Sequence, residues 1–97
     1  MTKIDDRLIE DAHVLLHPIR FRLVELLTEK PMHINELSKA LGGERRHVSY
    51  HLLMLERYGF VSSKYEMSEN PKSKGRAIRK YWVTGKVEDV ISELKEI

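Results

Sequence analysis

Between Glu44 and Tyr58 the chain sets Arg45, Arg46, His47, Ser49 and Tyr50 within six consecutive residues. What these side chains share is hydrogen-bond donation to planar and anionic acceptors. An arginine can bridge O6 and N7 of guanine, a serine can donate to or accept from any base, and a tyrosine can reach a phosphate or pack on a thymine methyl. A second cationic group follows, with Lys72, Lys74, Arg76, Arg79 and Lys80 in nine residues. Cations on a flexible segment meet phosphates, which supply affinity and orientation without sequence choice. The competing reading is that both groups are ordinary solvated charge, so the elements that carry them decide the matter.

The first group sits on a helix. At about 100° per residue, Val48, Leu52 and Leu55 share one face of the segment 44–58, with His51 at its edge. That face must pack inward. Arg46, Tyr50, Leu53 and Arg57 then point outward, flanked by His47, Ser49 and Met54, while Arg45 lies nearer the packed side. Upstream, Glu36–Leu41 reads as a short helix with Asn35 as its N-cap. Gly42-Gly43 stops it, because glycine accepts the positive φ of a tight turn. A short helix, a glycine turn and a longer polar-faced helix make a helix-turn-helix, whose second helix enters the major groove by its N-terminal residues.

The remaining elements frame this pair. Ile4, Leu8, Ile9, Ala12, Leu15 and Leu16 recur at helical spacing over 4–16. His17-Pro18 breaks that helix and opens a second one to about Glu29, with Ile19, Leu23, Leu26 and Leu27 inward. Met32-His33-Ile34 suits one small edge strand. Phe60–Met67 and Ala77–Thr84 read as strands of a hairpin around the polar loop 68–75, and Tyr65, Tyr81 and Trp82 are expected to brace it. Alternation sends Arg79 and Lys80 to opposite faces, so Lys72, Lys74 and Arg76 are the expected phosphate contacts of a basic wing over 68–80. A last amphipathic helix spans 86–97. The expected fold is α+β, mainly helical: a winged helix-turn-helix with a two- to three-stranded antiparallel wing, forming one domain over 1–97.

Composition narrows the partners. The net charge of +2 is unevenly spread: residues 59–86 carry seven basic and two acidic side chains, and residues 87–97 carry one and four. Such a field draws a polyanion to one face. The chain has no cysteine, which removes disulfides and thiolate metal sites. No apolar run approaches the ~20 residues of a membrane span, and the acidic, interrupted start does not read as a signal peptide; a cytoplasmic protein is expected. No phosphate loop, nucleophile motif or apolar carboxylate pair is present, so no catalytic residue is assigned and an enzyme is not expected.

The stretch ELSKALGGERRHVSYHLLMLERYGFV resembles the helix-turn-helix of winged-helix regulators of the arsenic-repressor (ArsR) type, through its L-G turn, V-S-x-H-L-x-x-L run and G-hydrophobic-V close. HPIRFRLVELL resembles that family's preceding helix, and the likeness runs from about Pro18 to Val83. It implies a transcription regulator, most often a repressor, that binds double-stranded DNA as a homodimer. It implies that Arg45, Arg46, His47, Ser49 and Tyr50 lie at or near DNA and that helices 4–16 and 86–97 form the dimer interface. Glu44 and Leu53 depart from the pattern, standing where a small capping residue and a polar or basic residue are common. The family's cysteine and last-helix histidine metal ligands are absent. His13 with His17, and His47 with His51, keep i, i+4 spacing, but no metal or cofactor is expected. The alternative function is a protein-binding winged helix in a transcription or other assembly, for which outward Leu53 and Met54 would serve. RNA binding is a weaker option, since no exposed aromatic platform is expected.

Overall fold

A computed structural model describes residues 4–69, 71–72 and 74–97. Asn70 and Ser73 of the expected basic loop, and residues 1–3, lie outside them. In chain order the elements are α1 (Asp6–Leu15), α2 (Pro18–Glu29), β1 (Met32–His33), α3 (Ile34–Leu41), α4 (Arg45–Arg57), β2 (Val61–Met67), β3 (Ala77–Val83) and α5 (Lys86–Lys95). The strands form one antiparallel sheet in the order β1-β3-β2. β2 and β3 pair from Val61↔Val83 to Met67↔Ala77, and β1 adds Met32↔Tyr81 on the other edge of β3. This is a winged helix-turn-helix, with β2 and β3 as the wing.

Local chemistry sets the boundaries. Asp5 caps α1 by accepting from the Leu8 N–H at 2.8 Å. His17 caps α2 through Nδ1, which accepts from the Ile19 N–H at 3.2 Å, and Pro18 occupies the first turn, where its missing N–H costs nothing. Gly42 adopts φ +67° and closes α3 by donating to the Lys39 carbonyl, while Gly43 N–H reaches Ser38 O. Gly59, at φ +83°, ends α4 in the same left-handed region.

Three expectations are corrected. α3 starts at Ile34 with His33 as its N-cap, not at Glu36 behind Asn35. The reason is Glu36, which sits at the third helical position and reaches back to accept from the His33 N–H at 3.0 Å. In α2 the inner face holds Arg20, Leu23, Val24 and Leu27, while Ile19 turns outward. In α1 the apolar residues divide: Leu8, Val14 and Leu15 enter the core, but Ile9 and Leu16 stay exposed.

The core gathers around α4. Val48, Leu52 and Leu55 on its inner face join Leu15, Leu23, Leu37 and Phe60 as the largest fully buried side chains. Each such burial contributes roughly 1.5–3 kcal/mol. A charged clasp closes the far end: Lys86 Nζ donates to the Tyr58 carbonyl at 2.6 Å and meets Asp11 Oδ1 at 3.1 Å, tying α5 to α4 and α1. Replacing Leu52 by Ala is expected to cost about 2–5 kcal/mol in urea unfolding, because it is fully buried in the core cluster and its loss leaves a cavity. A loss below about 1 kcal/mol would contradict this account of the core.

Candidate nucleic-acid interface

The burial of one face of α4 exposes the other. Val48, His51, Leu52 and Leu55 are buried, whereas Arg45, Arg46, His47, Ser49 and Tyr50 are all exposed. The five expected contact residues therefore occupy one continuous outer surface over the first two turns, in two sectors. Arg45 and Ser49 look toward the wing, where they line a cleft of about 230 Å³ with Asn35, Tyr65, Arg79 and Tyr81. Arg46 and Tyr50 lie on the flank away from the core.

Tyr50 is exposed but not loose. Its ring meets the His51 ring edge-on, centroids 5.3 Å apart, and the Arg20 guanidinium lies 5.9 Å from its centre. Arg20 is itself buried. It donates from Nε to His51 Nδ1 at 3.1 Å and from a terminal nitrogen to the Val14 carbonyl at 3.4 Å. Among the described residues it forms no ion pair with a carboxylate. α2 thus fixes α4 through a side chain whose role the sequence did not signal, since nothing in a string of letters marks one arginine of HPIRFRL as buried.

The wing is fixed to α4 by a second polar network. Ser63 donates to Glu56 Oε2 at 2.7 Å, and Arg79 donates to Ser63 Oγ at 2.8 Å and to Glu56 Oε1 at 3.3 Å. Arg79 and Lys80 do point to opposite faces, and each has a carboxylate: Arg79 has Glu56 and Lys80 has Glu66, 3.7 Å away. Their charges are spent on structure. Lys72, Lys74 and Arg76, in contrast, are exposed at the hairpin tip, where the Ser68 N–H still bonds the Arg76 carbonyl at 2.9 Å. Tyr65 corrects another expectation. It is 65% exposed, with the Arg79 guanidinium 5.2 Å from its ring, so the wing does carry an exposed aromatic face beside the cleft.

A helix-turn-helix domain family matches residues 15–63, just over half of the chain. The chain belongs to that family. A comparison with curated protein sequences gives no match. Among solved structures, it is similar over 96% of its length to 83% of a possible transcriptional regulator for arsenical resistance, at 27% identity and a TM-score of 0.71. It is similar over 99% of its length to 96% of HlyU from Vibrio cholerae, at 20% identity and TM-score 0.70. It also covers 84% of a protein put forward as a MarR-family transcriptional regulator from Enterococcus faecalis, at 18% identity and TM-score 0.71. The last two share the fold.

Three histidines, His17, His33 and His51, make contacts between elements of the fold. His17 packs against His51, ring centroids 4.6 Å apart, across the α2–α4 junction. Among the described residues no group of three or more His, Asp or Glu side chains is placed to hold a metal ion. His33, in the small edge strand, bridges two carboxylates, with Nδ1 2.9 Å from Glu36 and Nε2 2.9 Å from Glu66. The His33 backbone N–H first, then its ring, holds the Glu36 carboxyl below the usual 4.5, and the His33 ring, with Lys80 nearby, does the same for Glu66.

His51 responds the other way. Burial first, then the nearby His17, Arg20 and His47, push its imidazole below the ordinary 6.5. Because Nδ1 already accepts from Arg20, a second proton would set two donors face to face. A folded-state pKa below the unfolded one means the unfolded chain binds more protons, so stability falls as pH drops from 6.5 toward the folded value. The carboxylates of Glu36 and Glu66 lose their contribution only below 4.5, a separate window. Thermal unfolding is expected to show this loss above the carboxylate range, and His51→Asn, which keeps an acceptor for Arg20 without titrating, is expected to flatten it. Equal slopes in the two proteins would remove His51 as the cause.

Proposed function

We propose that the chain is a sequence-specific transcription regulator of double-stranded DNA, of the ArsR type, acting as a repressor in the cytoplasm. In this reading α4 enters the major groove, and the basic wing over 68–80 lies on the backbone and in the minor groove. The observation that carries it is the division of α4: an inner face sealed in the core and an outer face that exposes Ser49 on the wing side and Arg46 and Tyr50 on the other. Arg45 and His47 flank them, and Lys72, Lys74 and Arg76 extend the cationic surface. The helix-turn-helix family match and the 27% likeness to an arsenical-resistance regulator support the same reading.

The regulator would act as a homodimer through α1 and α5. Ile9 and Leu16 on α1 remain more than half exposed, and Ile91 and Leu94 on α5 are only partly covered. An apolar surface of this kind is what a second subunit would bury. Light scattering at micromolar concentration is expected to give about twice 11.4 kDa. A mass near one chain would remove the dimer.

Selection from random duplex DNA should yield a preferred sequence, with affinity falling as salt rises at a log–log slope of about −0.9 per phosphate neutralised. Arg46→Ala is expected to reduce preference among sequences, and Lys74→Ala to weaken binding to all of them about equally. The half-exposed Leu53 gives the protein-binding alternative its footing. No binding to any duplex, or binding indifferent to salt, would favour that alternative.

A further inference from the structure

The outer row of α4 holds a feature that hydrogen bonding to bases does not account for. Arg46, Tyr50, Leu53 and Arg57 recur along one side of the helix, and all four are exposed. Tyr50 is 53% and Leu53 52% exposed, although every other leucine of α4 is buried. Two apolar groups are thus set side by side between two guanidinium groups. Neither Arg46 nor Arg57 has an ion-pair partner among the described residues. The one carboxylate within α4, Glu56, is turned away to Ser63 and Arg79. Whatever covers this row must be anionic at its margins and must offer apolar groups between them.

We propose that Leu53, with the Tyr50 ring beside it, recognises thymine by its 5-methyl group. This rests on the DNA reading above and names what part of the interface reads. In the major groove the base edges present hydrogen-bonding atoms and a single apolar group, the methyl of thymine, while phosphates line both margins. With Arg46 reading a base at one end of the row, Leu53 and the Tyr50 ring come next along the groove floor, and Arg57 closes the row toward a phosphate. The Tyr50 ring is already held by His51 and Arg20 in the free protein, so little conformational freedom remains to be lost on contact. An acidic protein partner could also satisfy the charges. The exposed cations of the hairpin tip, Lys74 and Arg76, favour the duplex, because they continue the cationic surface beyond the reach of one helix.

Spacing makes the inference specific. Seven residues separate Arg46 from Leu53, which is about 10.5 Å along a helix at ~1.5 Å per residue. At ~3.4 Å per base that is about three base pairs. Preferred half-sites should therefore hold a guanine and a thymine within about three base pairs of each other.

The test compares a duplex obtained by selection with the same duplex in which deoxyuridine replaces thymine, so that only methyl groups are lost. Wild-type protein is expected to bind the uracil duplex roughly threefold to fivefold more weakly for each contacted methyl, the scale of one buried methyl group. Leu53→Ala and Leu53→Gln, both at an exposed site and checked for folding by circular dichroism, are expected to bind the two duplexes alike. Lys74→Ala is expected to lower both affinities and keep their ratio. Equal binding of both duplexes by the wild-type protein would overturn the proposal while leaving the DNA reading intact. An unchanged ratio in both Leu53 variants would do the same. Failure to bind any duplex, or loss of a protein partner as the only effect of Leu53→Ala, would overturn the proposal together with the reading on which it rests.

Discussion

The whole arrangement depends on burying one side of α4. Val48, Leu52 and Leu55 lie among Leu15, Leu23, Leu37 and Phe60, which come from α1, α2, α3 and the start of the wing. A helix held on that many sides has no rotational freedom. Its polar residues are aimed by what lies behind them, and a face of two arginines, a histidine, a serine and a tyrosine becomes a fixed surface instead of a fluctuating one. The hydrophobic effect supplies the energy, but the spacing of three aliphatic residues sets the direction.

Two polar ties add orientation that apolar packing alone would leave slack. Arg20 reaches from α2 to His51 and to the Tyr50 ring. Glu56 reaches from α4 to Ser63 and Arg79 on the wing. Both are partly or fully buried, where an unmade hydrogen bond is costly, so each makes one relative position of its elements better than its neighbours. The first fixes the Tyr50 flank of α4, and the second fixes the angle between α4 and the hairpin. Lys74 and Arg76 at the hairpin tip are exposed.

Most of the framework was legible because it follows from periodicity. The inward residues of α4, the glycine at its end, the hairpin and the opposed directions of Arg79 and Lys80 all came from spacing. What was not legible depended on contacts between distant segments. Spacing put Ile19 inward, and nothing in it marked Arg20 for burial. Only its bonds to His51 and Val14, from other elements, make its burial tolerable and reverse the two. Asn35 is a better cap by type than His33, yet Glu36 at the third position selects His33. Tyr65 read as a brace because aromatic residues in short hairpins usually pack. Here Arg79, drawn in by Glu56, covers part of the ring and leaves the rest exposed.

The most direct measurement is to record amide chemical shifts of the isotope-labelled protein as a selected duplex is added. The account expects the largest changes at Arg45–Tyr50 and at the described tip residues Lys72, Lys74 and Arg76, with the inner-face amides of Leu52 and Leu55 moving less. Changes gathered on α1 and α5, with Arg46 and Tyr50 silent, would mean that the exposed face of α4 meets something other than DNA.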